Sequence, residues 1–182
     1  KNWWSRSGVP RNMPIGEPGG PDTEMFWDFD PNETFQFHAH SIWKNNPCHV
    51  NCDCGRFMEI GNNVFMQYIK TGDREFTELK NKNIDFGGGL ERIAAATNNE
   101  ADVFKVDLLW NTIVHIENHS GKKYDDNKKA FRVITDHIRG AVFMIGDGVL
   151  PANSEQGYFT RRLLRRAVRF ADQLGIAPGT FT

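Results

Sequence analysis

The 182-residue chain has no apolar run approaching the roughly 20 residues that a membrane-spanning helix needs. That excludes a membrane partner reached by a helix. No signal-peptide pattern opens it. The start, Lys1-Asn2-Trp3-Trp4, reads as the middle of a longer protein. No internal repeat is visible. Cysteine is scarce: the three present fall together at positions 48, 52 and 54. An odd, clustered count excludes a disulfide framework and points to a reducing compartment, read here as the cytoplasm. Net charge is almost absent, at −1. It hides an asymmetry, because residues 1–100 carry 10 Lys and Arg against 14 Asp and Glu, and residues 101–182 carry 12 against 9. The second half is the better candidate for touching nucleic acid. With 39% hydrophobic and 25% charged residues, the chain can bury a core and is long enough for two domains.

Residues 1–22 are rich in Gly, Pro and Asn and read as loop, with Pro10, Pro14, Pro18 and Pro21 breaking any helix. Residues 23–30 alternate, with Met25, Trp27 and Phe29 on one face of a half-buried strand. Residues 31–55 have no period and hold three histidines, His38, His40 and His49, beside all the cysteines. Residues 56–60 and 63–70 read as strand, with a break at Gly61-Asn62 that marks a bulge or a close backbone approach. A third strand over 83–86 runs into Gly87-Gly88-Gly89. From Leu90 the pattern is helical. The first stripe is Leu90, Ile93 and Ala94. Phe104, Leu108, Leu109, Ile113 and Ile116 mark a helix over 101–118, and Phe131, Ile134, Ile138 and Val142 one over 127–146. A last helix over 154–174, starting at Ser154, turns Phe159, Leu163, Leu164, Val168 and Phe170 inward. The expected class is α+β: part of an antiparallel sheet over 1–98, with an insertion at 31–55, followed by an all-α domain over 99–182.

Three constellations carry chemistry. Arg161, Arg162, Arg165, Arg166 and Arg169 fall within nine residues of the last helix, after a polar loop containing Asn153. Such a helix can hold RNA phosphates while an amide reads a base edge; the plain alternative is a solvated cationic face. The run Asp85 to Arg92 is a strand, a glycine turn and a helix start. Its glycines allow a ligand to approach the backbone, Arg92 can fork onto a phosphate, and Asp85 can meet an ammonium group. The alternative is a tight strand-to-helix turn. In the third, Cys48, Cys52, Cys54 and one histidine could give zinc its four N/S ligands. His49 is the fourth ligand carried forward, with His40 and His38 also open. The role would be structural, pinning 31–55 to the sheet, and the alternative is a metal-free loop. His115 and His137 read as packing residues, and Trp27, Trp43 and Trp110 as core or interface.

The stretches Asn2-Trp3-Trp4, 16–24 (GEPGGPDTE), 59–67 (EIGNNVFMQ), 85–92 (DFGGGLER) and 148–169 (GVLPANSEQGYFTRRLLRRAVR) occur in the order and at the spacing of one family. Together they resemble alanyl-tRNA synthetase, a class II aminoacyl-tRNA synthetase. The resemblance implies part of a class II antiparallel sheet followed by a helical tRNA-recognition domain. It implies ATP-dependent activation of alanine and transfer to alanine tRNA, with ATP and Mg²⁺. Arg92 corresponds to the motif 3 arginine that holds ATP phosphate. Gly87 and Gly89 correspond to the floor of the adenylate pocket, and Glu24 to a residue beside it. Asp85 corresponds to the carboxylate that takes the alanine ammonium group. Trp4 and Val64 correspond to apolar pocket walls, and Asn62 to a polar pocket residue. Asn153 corresponds to the asparagine that helps read the G·U pair of the acceptor stem, with the five arginines on its phosphates. A similar cysteine-rich insertion occurs in some bacterial members. The implied partners are alanine, ATP, alanine tRNA and the rest of the synthetase chain; a non-catalytic tRNA-binding paralogue is the alternative.

The chain also departs from the family pattern. Motifs 1 and 2 are not found and are expected before Lys1. The aspartate partner of Asn153 and an editing domain are expected after Thr182. The expectation is an internal fragment that cannot charge tRNA alone. Gly19 stands where members commonly have Cys, and Gly88 where many have Met.

Overall fold

The computed structural model describes residues 2–34, 36–177 and 179–180. The chain divides into two compact units, residues 1–103 and 104–182. Trp27 Nε1 donates to Asn99 Oδ1 at 3.3 Å, which ties the segment after the first helix to the sheet.

The first unit is an antiparallel meander in the order β1 (Trp3–Ser5), β2 (Pro18–Asp28), β3 (Phe57–Gly72) and β4 (Glu75–Gly88), followed by α1 (Leu90–Thr97). With the helices of the second unit it makes the expected α+β arrangement. Two strands are longer than their sequence suggests. β2 begins at Pro18, inside the stretch read as loop, because its glycines allow a backbone approach that side chains would forbid. A Cβ on Gly20 would run into the Phe65 carbonyl of β3. β4 begins at Glu75, where Arg74 (φ 62°) closes a tight hairpin from Gly72. Its polar first half hid it from a hydrophobic-pattern reading.

β3 does not break at Gly61-Asn62. It runs through as one strand with a bulge beside that point. Met25 faces Gly61 and Phe26 faces Glu59, which leaves Ile60 without a partner on β2. A Cβ on Gly61 would sit 2.9 Å from the Gly87 carbonyl oxygen, so the glycine also allows β4 to approach. At the start of β3, Arg56 forks onto both oxygens of Asp28 at 2.9 Å and reaches Glu33 with its third nitrogen at 2.9 Å. Buried Lys70 donates to the Met13 and Pro10 carbonyls at 2.7 and 3.3 Å, holding the short 3-10 turn at 10–12 against the sheet. The expected inward stripe of β2 is not buried: Met25 and Trp27 are exposed, and Phe29 is buried beyond the strand's end. On α1 the buried residues are Ala95 and Ala96, while Leu90 and Ile93 are exposed.

The second unit holds α2 (Asp107–Ser120), α3 (Lys128–Gly146) and α4 (Glu155–Leu174). Its core is Ile113, Ile116, Tyr124, Phe131, Ile134, Ala171, Leu174 and Ile176. Tyr124, from the connection between α2 and α3, sets its ring edge-on to Trp110 and Phe131 and accepts a hydrogen bond from Arg132 Nε at 2.8 Å. The inward face of α4 differs from the expected one. Gly157, Thr160, Ala167, Ala171 and Leu174 are buried, whereas Phe159 and Val168 are 57% and 59% exposed. Small residues let the helix approach its neighbours closely, which turns the larger apolar side chains to the flanks. Leu108 and Val142 are likewise exposed. No helix among the described residues is long and apolar enough to cross a membrane.

Hydrogen bonding from Arg56 holds the Asp28 carboxyl below its ordinary range, against the opposing effect of burial. A carboxylate with a depressed folded pKa adds stability above its unfolded value and loses it as pH falls through the folded one. The urea midpoint of Asp28→Asn should therefore lie below wild type near neutral pH, with the gap closing once pH drops under about 4. A gap that stays constant from neutral to acid pH would remove the Asp28 charge as its cause.

Candidate functional site

The site on the sheet is set by register. Glu24 faces Asn62, and Asn62 faces Gly87; one step along, Asp22 faces Val64, and Val64 faces Asp85. Residues directly opposite in an antiparallel pair point to one face, and so do residues two apart on a strand. Neither row is interrupted by a bulge. Glu24, Asn62, Asp22, Val64 and Asp85 therefore share a face, with Gly87 as bare floor. The Asn62 side chain lies over that floor, since a Cβ on Gly87 would sit 3.0 Å from its Oδ1. Val64 is buried, while Glu24 and Asp85 are exposed and free to meet a ligand. Trp4, on β1, pairs with Gly20 two residues along from Asp22. Gly19, beside it, has no room for a side chain: a Cβ there would lie 2.8 Å from the Trp4 carbonyl oxygen.

Arg92 stands in the first turn of α1. The helix starts at the sheet because Gly89 N–H donates to the Ile60 carbonyl at 3.2 Å, at the bulge. Arg92 folds back over Gly89, donates to the Glu59 carbonyl at 3.1 Å and lies 3.5 Å from the Glu59 carboxylate. Only one guanidinium nitrogen is engaged by these contacts, and the side chain is 53% exposed. An exposed ion pair of this length is weak and exchanges readily for an anion such as a phosphate.

Asp22 was not anticipated. Its Oδ1 is buried with no hydrogen-bond partner among the described residues. A buried carboxylate oxygen in that state is stabilised by a donor from outside. The signal in sequence was an acidic residue in the Gly-Pro run, which the loop reading masked.

In the second unit all five arginines line one groove of about 910 Å³, joined by Lys129 from α3 and by Tyr158. No carboxylate among the described residues pairs with any of the five. Asn153 borders a second, shallower cleft of about 750 Å³ at the start of α4, with Tyr158 and Phe159. Lys129, Tyr158 and Phe159 are the additions the structure makes to this surface. Gly157 fixes the loop's position, because Ala152 N–H donates to the Gly157 carbonyl at 2.9 Å and a Cβ on Gly157 would overlap the Leu150 carbonyl oxygen.

In the insertion the structure groups His38, not His49, with Cys48, Cys52 and Cys54; the four ligand atoms lie within 4.8 Å of one another. His49 Nδ1 instead accepts from the Asn51 N–H at 3.1 Å. Burial, followed by the neighbouring Cys54 and Asp53, pushes the Cys52 thiol up.

The first unit sets carboxylates, an amide and a glycine floor on one sheet face and carries an exposed arginine at the start of α1; the second unit carries a groove lined by five arginines. Residues 2–182 match the family of class II (A) tRNA synthetases, and the chain belongs to that family. Among its relatives, the alanine–tRNA ligase of Treponema denticola is 41% identical over 182 residues, covering 96% of this chain and 27% of that protein. The alanine–tRNA ligase of Borreliella afzelii is 38% identical over 95% of this chain and 31% of its own length. That of Exiguobacterium sibiricum is 43% identical over 95% and 20%. The chain thus spans roughly a fifth to a third of the length of these curated relatives.

Gly157→Ala should destabilise the helical unit by ~1–3 kcal/mol through overpacking against the 150–152 loop. Gly146→Ala has open space around its Cβ and lies at a helical position, so it should be neutral or stabilising by up to ~1 kcal/mol. Urea denaturation of both variants checks this, and equal effects would reject the close approach at Gly157.

Proposed function

We propose that this chain forms the motif 3 part of the aminoacylation domain, and the first helices of the tRNA-recognition domain, of a cytoplasmic alanine–tRNA ligase. The boundary between the two parts lies near residues 98–103. The observation that carries the reading is the register that aligns Glu24, Asn62 and Gly87 beside Asp22, Val64 and Asp85 in a member of this family.

The chemistry follows from charge. The alanine carboxylate attacks the α-phosphorus of ATP, forming the adenylate and expelling pyrophosphate. A hydroxyl at the tRNA 3′ end then takes the alanyl group and AMP leaves. Neither step needs more from the protein than placement and compensation of charge. Asp85 takes the ammonium group, Val64 and Trp4 wall the methyl group, and the Asn62 amide orients the substrate over Gly87. Arg92 exchanges its contact with Glu59 for a phosphate. Mg²⁺, bound with ATP, neutralises phosphate charge, and Glu24, exposed on the same face, is a carboxylate fit to share it. A pocket that accepts only a methyl side chain rejects glycine or serine by only ~1–3 kcal/mol per group. Zinc takes no part in the reaction and belongs to the insertion.

The groove on α4 holds acceptor-stem phosphates through its five arginines. Asn153, able to donate and accept, reads the wide minor groove of the A-form stem. A non-catalytic tRNA-binding paralogue would need the arginine groove but not an amino-acid pocket, and Asp85, Asn62, Val64 and Trp4 are all present in this sequence.

In the full-length enzyme, Asn153→Ala should reduce charging of alanine tRNA by about tenfold or more, the ~1–3 kcal/mol of a lost recognition contact, with alanine-dependent ATP–pyrophosphate exchange unchanged. Asp85→Asn should lower both. Equal loss of both activities in Asn153→Ala would place that residue in the wrong site. Unchanged exchange in Asp85→Asn would remove the sheet face from the reaction.

A further inference from the structure

We propose that His38 Nδ1 and the sulfurs of Cys48, Cys52 and Cys54 bind one zinc ion in a closed Cys₃His centre. We further propose that this centre is the internal staple of the insertion. The inference specifies the ligands and task of a zinc ion away from the reacting groups, and it stands whether or not the sheet face holds an adenylate.

The geometry carries it in three ways. The first is spacing. Tetrahedral zinc with bonds of about 2.3 Å to sulfur and 2.0–2.1 Å to nitrogen sets S···N edges of about 3.5 Å and S···S edges of about 3.8 Å. Cys52 Sγ stands 3.4 Å from His38 Nδ1, and all four ligand atoms lie within 4.8 Å of one another. The group therefore needs a contraction of at most about 1 Å to close on an ion.

The second is the state of His38. Its Nε2 lies 2.8 Å from the Asn46 carbonyl oxygen. A carbonyl can only accept, so the proton sits on Nε2 and Nδ1 turns its lone pair to the sulfurs. A ring nitrogen donating to a backbone carbonyl is the outer support that metal-binding histidines use. His49 has no such arrangement, because its Nδ1 already accepts the Asn51 N–H.

The third is what the segment lacks. Ile42 is 88% exposed, and Trp43 and Val50 are exposed as well. The insertion is thus short of buried apolar contacts of its own. Local hydrogen bonds shape both halves of the site. Ser41 N–H and Oγ donate to the His38 carbonyl, and Cys52 N–H donates to the His49 carbonyl at 2.8 Å. One side-chain contact, Cys52 Sγ to His38 Nδ1 at 3.4 Å, links residue 38 to the 48–54 half, and a metal would extend that link to all four ligand atoms. On binding, the three thiols release their protons to solvent, and three thiolates with a neutral imidazole leave the occupied centre at −1. Lys44, which lines one cavity with His38 and Cys48, offsets that charge, while Arg56 in the same cavity is already paired with Asp28 and Glu33. With four protein ligands, no position remains for substrate.

The test uses the whole 182-residue chain purified without chelator. Elemental analysis should find about one zinc per chain, and cobalt substitution should give the visible spectrum of a tetrahedral thiolate site. In competition with a chelator, His38→Ala and Cys52→Ser should bind at least about 100-fold more weakly, and His49→Ala within about threefold of wild type. Chelation should speed amide exchange across residues 36–55 and leave β2–β3 pairing unchanged, since Arg56 and Asp28 hold that end independently. A folded chain with negligible zinc would overturn the site. Loss of metal in His49→Ala but not in His38→Ala would overturn the ligand set. Faster exchange along the whole sheet would overturn the task assigned to it.

Discussion

The pairing of β3 with both of its neighbours is the constraint on which the first unit depends. Every chemistry-bearing side chain on the sheet face is placed by it. A slip of one residue would turn Asn62 and Val64 to the opposite face and separate Glu24 from Gly87. The alternation of side chains alone does not forbid such a slip, because neither face of β4 is buried. Register is instead fixed by places where only one alignment fits. Gly20 must lie under the Phe65 carbonyl, Gly61 must meet the Gly87 carbonyl, and the unpaired Ile60 sets the bulge from which α1 departs. The Arg56–Asp28 fork locks the end where the insertion leaves and returns.

These devices favour position over stability. A glycine inside a strand costs about 0.5–1 kcal/mol relative to alanine. β4 adds an edge of 14 residues with Ile84 and Phe86 exposed, a surface that soluble sheets normally cover. Gly87 differs from Gly20 and Gly61: a Cβ there would meet only the Asn62 side chain, so it leaves bare floor on the face that carries Glu24 and Asp85.

How far the sequence revealed this depended on the kind of signal. Hydrophobic period located α2, α3 and α4, although α2 starts at Asp107 rather than 101. The glycine runs at 19–20 and 87–89 were visible, but their meaning was tertiary: a close approach to another strand leaves no mark in the local pattern. For that reason β2 was read short and β3 as two pieces. The face of α4 failed for a related reason. Its buried side is made of Gly157, Thr160, Ala167 and Ala171, residues a hydrophobicity pattern ranks below Phe159 and Val168. Of the site residues, Asp85, Asn62, Gly87 and Glu24 were legible through resemblance, and the structure adds that they share a face. Asp22 and His38 were not singled out: one lay in an apparent loop, and the other was one of three histidines, told apart only by which ring the fold brings to the three sulfurs.

The inward turn of small residues on α4 has an electrostatic consequence. It frees the outer surface for Arg161, Arg162, Arg165, Arg166 and Arg169, three pairs of which stand four residues apart. Like charges at that spacing each destabilise a helix by ~0.2–0.5 kcal/mol. A helix selected for stability alone would interleave glutamates. Here no carboxylate among the described residues answers the arginines, and Lys129 adds to the charge of the groove. The repulsion is therefore an energy that an anionic partner can relieve on binding, and phosphates spaced along an RNA strand relieve it at several points together. Attraction of this kind carries no sequence preference, so in the function proposed above discrimination would come from another part of the surface. Asn153, at the entrance of the same helix on the loop held by the close approach at Gly157, offers both a donor and an acceptor, as do Ser154, Gln156 and Tyr158 in the same cleft.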